Sequence, residues 1–500
     1  MYAAVSSSTL RGAFGSPVTV EVHIGSGLPG FTVVGQPDDA CRESRDRVRA
    51  ALLSSGHEWP NRRITVNLAG EGDRKGGAGL DLAIALGILI SSGVLPASCA
   101  EGHSFVGELG LDGALRPVTG AAPLAHAAEG PVVVVPLMSF AEAAVAAPGR
   151  VVCADNLAAV VSALRDGEPW RSPPVQPNAV PAAPPDLSDV AGHAEARFAL
   201  EVAAAGGHHM LMVGPPGSGK SMLASRLPGL LPPLDPGRAL ECALIRGAAG
   251  LPVEVPPPLV VPWRAPHHSS SLAALVGGGS PSVRPGEISL AHNGVLFLDE
   301  MSEFAPSALD ALRQPLEEGV VRIGRARAAV ELPARFQLVA ATNPCPCGDE
   351  RSTVCACTPR MRHRWLRRIS GPLIDRFDVR VWITRPTSAS MLAVNRGEST
   401  AEVASRVARA RDIALARQGA TNAAIPVSLL ESHARLTQPA RAVFARELDA
   451  GRLTARGYHR CRRLARTIAD LRGHDGPVDE QHAEAAVQMR REPGGPVGPR

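Results

Sequence analysis

The chain has 500 residues, 45% hydrophobic and 20% charged, with 52 basic against 48 acidic side chains for a net charge of +4. At ~150 residues per domain this length fits about three domains and excludes a single small module, and a mean hydropathy of +0.03 excludes wholesale disorder. The charge balance alone names no partner, because arginines can still gather on one face.

No apolar run reaches the ~18 residues of a membrane helix; the best, residues 82–90, contains Gly87 and is followed by Ser91 and Ser92. Residues 1–14 lack a basic segment leading into an apolar one, so a cytoplasmic protein without membrane contact is expected. Nine cysteines, an odd number in a long chain, read as reduced thiols and metal ligands rather than a disulfide framework. Lys75 and Lys220 are the only lysines, which marks them as places where a compact ammonium is needed rather than a planar fork. Lys220 meets that expectation below; Lys75 reads as a phosphate contact, a salt bridge or a loop charge.

Up to residue 166, short β-rich runs (18–24, 64–68 and 132–135) alternate with alanine-rich helical stretches, an α+β or α/β pattern. Residues 107–120, Gly-Glu-Leu-Gly-Leu-Asp-Gly-Ala-Leu-Arg-Pro-Val-Thr-Gly, with 66–86 before them, resemble the Lon-protease-like fold of the ribosomal S5 domain 2-like type. That resemblance implies a Ser-Lys dyad. Here Ala78 stands at the nucleophile's position and residues 120–126 offer no lysine, so acyl transfer by the dyad is chemically excluded. A non-proteolytic scaffold for ring assembly or DNA contact is expected over 1–166.

Residues 167–186 are proline-rich and read as a stiff linker. From 187 to 384 helices alternate with apolar runs at 210–213, 295–298 and 337–340, as buried parallel strands do. Residues 385–492 are rich in Ala, Arg and Leu and read as a small helical domain, with a tail at 493–500.

The chemistry concentrates in the α/β segment. Gly214, Pro215, Pro216, Gly217, Ser218, Gly219, Lys220 and Ser221 form a complete G-x-x-x-x-G-K-[ST] motif between the apolar 209–213 and the helical 222–227. The loop's amides would cradle the phosphates of ATP, Lys220 would reach the β/γ oxygens, and Ser221 would hold Mg²⁺. The run 295–298 ends in Asp299, suited to holding Mg²⁺ through water, and Glu300, suited to polarising the attacking water as general base. A third run ends in Asn343, which can orient that water. Three strand-end polar groups facing one crevice are what open α/β sheets favour.

This constellation resembles the AAA+ ATPases, with Asn343 as sensor 1 and a helical lid after the core. Within 370–378, Ser-Gly-Pro-Leu-Ile-Asp-Arg-Phe-Asp, Arg376 matches the arginine finger of the magnesium-chelatase-like clade, which reaches the γ-phosphate of a neighbouring subunit. Arg456 matches sensor 2, which acts from the lid. Apart from that match, either reads as one more surface arginine. Residues 265–271 (Ala-Pro-His-His-Ser-Ser-Ser), 285–300, 312–317 (Leu-Arg-Gln-Pro-Leu-Glu) and 343–348 (Asn-Pro-Cys-Pro-Cys-Gly) are similar to the YifB/ComM family of magnesium-chelatase-like ATPases, nearly end to end. The resemblance implies a homo-oligomeric, hexameric ATP-hydrolysing ring. For the ComM branch it implies a DNA helicase driving branch migration in recombination or transformation. A motor subunit that remodels a protein partner is the other reading of the same core, while Ala78 argues against an ATP-dependent protease.

Directly after Asn343, Cys345, Cys347, Cys355 and Cys357 are spaced C-x-C, seven residues, C-x-C. Four thiolates in so short a loop suit one tetrahedral Zn²⁺ that stiffens the segment before Arg376; free thiols and redox chemistry are the other readings, and His363 is a poorer ligand. If the family's ring architecture holds, the insert 264–290, with His267, His268 and Arg284, and the hairpin-like 320–330 would face its pore. Gly324 suits the hairpin's turn, and Arg325 and Arg327 can pair with DNA phosphates; a solvated hairpin is the plain alternative. In the basic run 452–466, helical spacing puts Arg456, Arg460 and Arg463 near one face, where they would frame the ATP site.

Overall fold

The computed structural model describes residues 1–70, 76–173, 184–279, 283–324, 329–348, 355–366, 368–387 and 397–490. Lys75, Arg325, Arg327, the side chain of His363, residues 174–183 of the linker and the tail lie outside the described residues.

The N-terminal layer is a seven-stranded mixed sheet, ordered Gly30–Val34, Arg63–Ala69, Phe14–Gly25, Tyr2–Arg11, His103–Phe105, Val132–Pro136 and Val151–Ala154. The three expected runs at 18–24, 64–68 and 132–135 are strands of it. Its longest apolar run is the helix Asp81–Ser91, all 11 residues of which are buried, so its apolarity serves a core and not a bilayer. The single acid in that helix, Asp81, pairs with Arg47 at 2.7 Å; burial nevertheless pushes its pKa up to about 6, with Arg47 opposing. Ala78 opens a short 3-10 turn, Ala78–Leu80, ahead of this helix.

The second sheet is wholly parallel. Its order is Trp263–Arg264, Val295–Leu298, Gln337–Thr342, Met210–Val213 and Val379–Trp382. Met210–Val213, second from one edge, has later strands on both sides, which makes its carboxyl end a switch point in strand order. The three strands Met210–Val213, Val295–Leu298 and Gln337–Thr342 are buried throughout, matching the unbroken apolar runs of strands covered on both faces. Two small antiparallel pairs accompany this sheet: Gly277–Gly278 with Arg284–Pro285, and Val320–Gly324 with Ala329–Pro333; Val321 and Leu332 of the second are buried in the sheet's core. Gly324, expected at the turn, is instead the last residue of its strand and pairs with Ala329; residues 325–328 lie outside those described.

Helices Thr400–Gln418, Gln438–Asp449, Ala455–Leu471 and Glu480–Gln488 follow. The first is closed by a full capping box, Ser399 with Glu402, which satisfies amides the helix cannot pair itself. Apolar side chains of this region, among them Val407, Phe444 and Leu464, belong to the same buried cluster as Met210 and Met212 of the sheet. The helical region is thus held chiefly by the sheet's core, with one small cluster of its own at Ile425, Leu430 and Ala434.

The basic run 452–466 is largely internal. Arg462 bonds Glu431 and the carbonyls of Leu430 and Ala434, Arg463 bonds the carbonyl of Ile425, and Arg466 pairs with Asp470. Arg456 is exposed. The N-terminal layer docks on the ATPase layer through Ala122, Ala146 and Leu244, a shared buried cluster.

Candidate active site

A cleft of about 600 Å³ opens at the carboxyl ends of the parallel strands and is lined by Pro216, Gly217, Ser218, Gly219, Lys220, Ser221, Asp299, Glu300 and Asn343. Strand register brings them there: Val213 lies opposite Thr342, and Leu298 opposite Ala340, so the residues following each strand emerge together. The loop's glycines are sterically required. Gly219 has φ +87°, and a Cβ on Gly214 would stand 2.1 Å from the carbonyl oxygen of Ile383, an approach no larger residue permits. The helix that follows runs only from Lys220 to Ala224; the expected continuation to 227 breaks before a separate turn, Leu227–Leu230, carrying Pro228.

The Lys220 ammonium donates to the carbonyls of Gly214 and Pro215 at 2.7 and 2.9 Å and to Asn343 Oδ1 at 3.2 Å. Burial lowers its pKa, while Asp299 and Glu300 pull it back up. Ser221 Oγ donates to Asp299 Oδ2 at 2.6 Å, which places two hard oxygen donors side by side as Mg²⁺ requires. Ser218 Oγ is buried without a hydrogen-bond partner among the described residues. These observations fit ATP and Mg²⁺: the loop and Lys220 would hold the phosphates, Ser221 and Asp299 the cation.

Glu300 sits at φ +47°, a left-handed conformation that costs a side chain of this size and is tolerated where function requires it. Its carboxylate extends toward the insert, where His268 Nδ1 lies 3.5 Å away. Gly214 and Pro215 contribute through their carbonyls, as bonded above, rather than as lining side chains.

Neither Arg376 nor Arg456 is among the residues lining this cleft. Arg376 is buried, bonds the carbonyl of Pro372 at 2.8 Å and pairs with Glu317. Burial lowers its pKa, Glu317 opposes, and Arg460, Arg313 and Arg456 add to the lowering. Arg460, one turn after Arg456 on the helix Ala455–Leu471, donates to the Arg376 carbonyl at 3.0 Å. The four cysteines do converge: their Sγ atoms all lie within 4.8 Å of one another.

The sequence reading placed His268 in the insert expected to face a ring's pore and not beside Glu300, and it missed Asp189 and His193, which also line the cleft. His193 has φ +56° directly after Gly192, a turn signature that could have directed attention to it.

A parallel α/β sheet with a phosphate loop, paired acids and a polar strand end around one cleft defines an AAA+ P-loop ATPase. Three family models match in succession: "Subunit ChlI of Mg-chelatase" over residues 20–138, "Magnesium chelatase, subunit ChlI" over 186–391, and "Magnesium chelatase, subunit ChlI C-terminal" over 397–490. The chain is 44% identical over 495 residues to an uncharacterized protein of Mycobacterium tuberculosis, covering 97% of this chain and 98% of the relative. It is 42% identical over 490 residues to the uncharacterized protein YifB of Escherichia coli (97% and 96%) and 41% identical over 491 residues to the competence protein ComM of Haemophilus influenzae (97% and 96%). The chain belongs to the YifB/ComM family of magnesium-chelatase-like ATPases. No helix among the described residues is long and apolar enough to cross a membrane.

Proposed function

We propose that the protein is a ring-forming ATPase, hexameric and cytoplasmic, that moves or remodels branched DNA during recombination or transformation. The observation that carries the DNA substrate is the end-to-end match to a competence protein; Arg325 and Arg327, between the strands Val320–Gly324 and Ala329–Pro333 in sequence, would meet its phosphates. The cofactors are ATP and Mg²⁺, with Zn²⁺ at Cys345, Cys347, Cys355 and Cys357. Without a serine at position 78 the N-terminal layer acts as scaffold and not as protease.

In this reading Lys220 exchanges its loop carbonyls for phosphate oxygens, and Asn343, released from Lys220, holds the attacking water in line. Glu300 takes that water's proton. Bound Mg²⁺ supplies neutralisation of the β/γ charge, and Arg376 with Arg456 completes the γ-phosphate's surroundings from the next subunit. In the single chain Arg376 is buried and paired with Glu317, so in this reading that pair opens when the next subunit docks and the guanidinium turns to the γ-phosphate.

The match of all three chelatase-subunit models favours one second reading, a motor that remodels a protein partner. Phosphate release measured with and without a four-way DNA junction separates the two. The DNA reading expects faster turnover and conversion of the junction to duplex products; an unchanged rate with the junction intact contradicts it.

A further inference from the structure

The four cysteines sit in an excursion that leaves the cleft and returns to it. The strand Gln337–Thr342 delivers Asn343 to the cleft, and Cys345 follows two positions later. A turn closed by the Gly348 amide on the Cys345 carbonyl at 2.9 Å puts Gly348 at φ +87° against the phosphate loop, where an added Cβ would stand 2.5 Å from Pro216 Cδ. After Cys357 the helix Pro359–Leu366 brings the chain back, and Trp365 Nε1 donates to the Asn343 carbonyl at 3.0 Å. Beyond it Arg368 stacks on Trp365 at 5.3 Å and reaches Glu303 at 3.3 Å, three positions after Glu300. The loop therefore touches the phosphate loop, the sensor strand and the acid-bearing turn, which are the three parts of the cleft.

The sulfurs are arranged for one metal ion. Cys345 and Cys347 are 3.2 Å apart, Cys347 and Cys355 3.3 Å, and Cys345 and Cys355 3.9 Å, and no two are joined as a disulfide. A tetrahedron with Zn–S of about 2.3 Å has sulfur–sulfur edges of about 3.8 Å, and the Cys357 sulfur lies within 4.8 Å of the other three, so the four need shift by no more than about 1 Å to close on one ion. Cys345 and Cys357 are buried, Cys355 is half-buried and Cys347 is exposed, and four thiolates with no open position are the ligand set of a structural site and not of a catalytic one.

We infer that a Zn²⁺ held by Cys345, Cys347, Cys355 and Cys357 is a brace for the nucleotide cleft: it fixes Gly348 against Pro216 and holds Asn343 by way of Trp365, so that metal occupancy sets ATP affinity and turnover. This rests on the reading of the cleft as an ATP site. Closing the excursion with a metal removes conformational freedom that the cleft would otherwise have to surrender when nucleotide binds. The cysteines touch no nucleotide in this account; they are positioning residues.

The test uses the full chain purified without added metal. Metal analysis should give about one zinc per chain, and exchange for Co²⁺ should give the visible bands of tetrahedral cobalt thiolate. Stripping zinc with a chelator under reducing conditions should weaken ATP binding about tenfold and slow turnover at least as much, both restored by Zn²⁺ alone. Such losses match what small misplacements of positioning groups cost. Because Cys345→Ser with Cys347→Ser can simply unfold the segment, Gly348→Ala supplies the second arm. It keeps all four ligands but drives a methyl into Pro216, so zinc should remain at about one per chain while ATP affinity falls. Absence of zinc from protein with four titratable thiols overturns the metal site. Zinc present, with stripped and Gly348→Ala proteins binding and hydrolysing ATP as the parent does, overturns the brace and leaves the ATPase reading standing. A zinc-loaded chain that binds no ATP overturns both.

Discussion

His268 Nδ1 lies 3.5 Å from the carboxylate of Glu300, joining the insert after the strand Trp263–Arg264 to the proposed general base. The ring of His268 is itself held between His267, at 4.1 Å, and the edge of Phe304, at 6.5 Å between centroids. Glu300→Gln keeps the shape and removes the base, so kcat should fall by about 10²–10⁴-fold with ATP binding retained. His268→Ala leaves the carboxylate in place but unoriented, and should lower kcat by about tenfold with little change in KM. Steady-state phosphate release with both variants checks the pair. A His268→Ala enzyme with the parent's kcat would show that the contact does not position the base.

Acid stability should carry the signature of His209. Its ring accepts a hydrogen bond from the Leu338 amide at 3.0 Å, and burial lowers its pKa from 6.5 to about 4, with Asp378 opposing. Between those values the unfolded chain binds a proton that the folded chain refuses, so stability is complete above about pH 6.5 and falls as pH drops toward 4. His209→Asn retains an acceptor near Nδ1 and cannot titrate. Denaturant midpoints at pH 7 and pH 5 should therefore differ less in the variant than in the parent; equal differences would remove His209 from this role.

Much of the cleft was legible because strand-end chemistry is local. An apolar run followed at once by Asp299 and Glu300, or by Asn343, announces both a buried parallel strand and its functional end, and the phosphate loop is contiguous. What was not legible depends on pairings distant in the chain. No periodicity joins His268 to Glu300 or Arg376 to Glu317, and none tells that Arg462 and Arg466 are turned inward onto Glu431 and Asp470 while Arg456 faces solvent. Likewise the alanine-rich helices after residue 400 show amphipathic faces, but only the fold reveals that those faces complete the sheet's core instead of forming a large one of their own.

If Arg325 and Arg327 pair with DNA phosphates, replacing both by alanine should weaken binding to all sequences alike. It should also reduce the slope of log affinity against log salt by about two per participating chain. Fluorescence anisotropy with duplex and junction DNA over a range of salt measures this. A variant with unaltered slope would place the hairpin tip away from the nucleic acid.

The central claim is an ATP site completed by a neighbouring subunit, and mixing two inactive chains tests it most directly. Lys220→Ala destroys phosphate binding in its own cleft; Arg376→Ala leaves that cleft intact but deprives the next subunit, a loss typically worth ~10³–10⁵ in rate. Each variant alone should be nearly inactive. Titrating one into the other under conditions that allow subunit exchange should restore phosphate release, because an intact Arg376 then faces an intact Lys220. No restoration, in mixtures where mixed rings are shown to form, would contradict the shared site and confine Arg376 to its own chain.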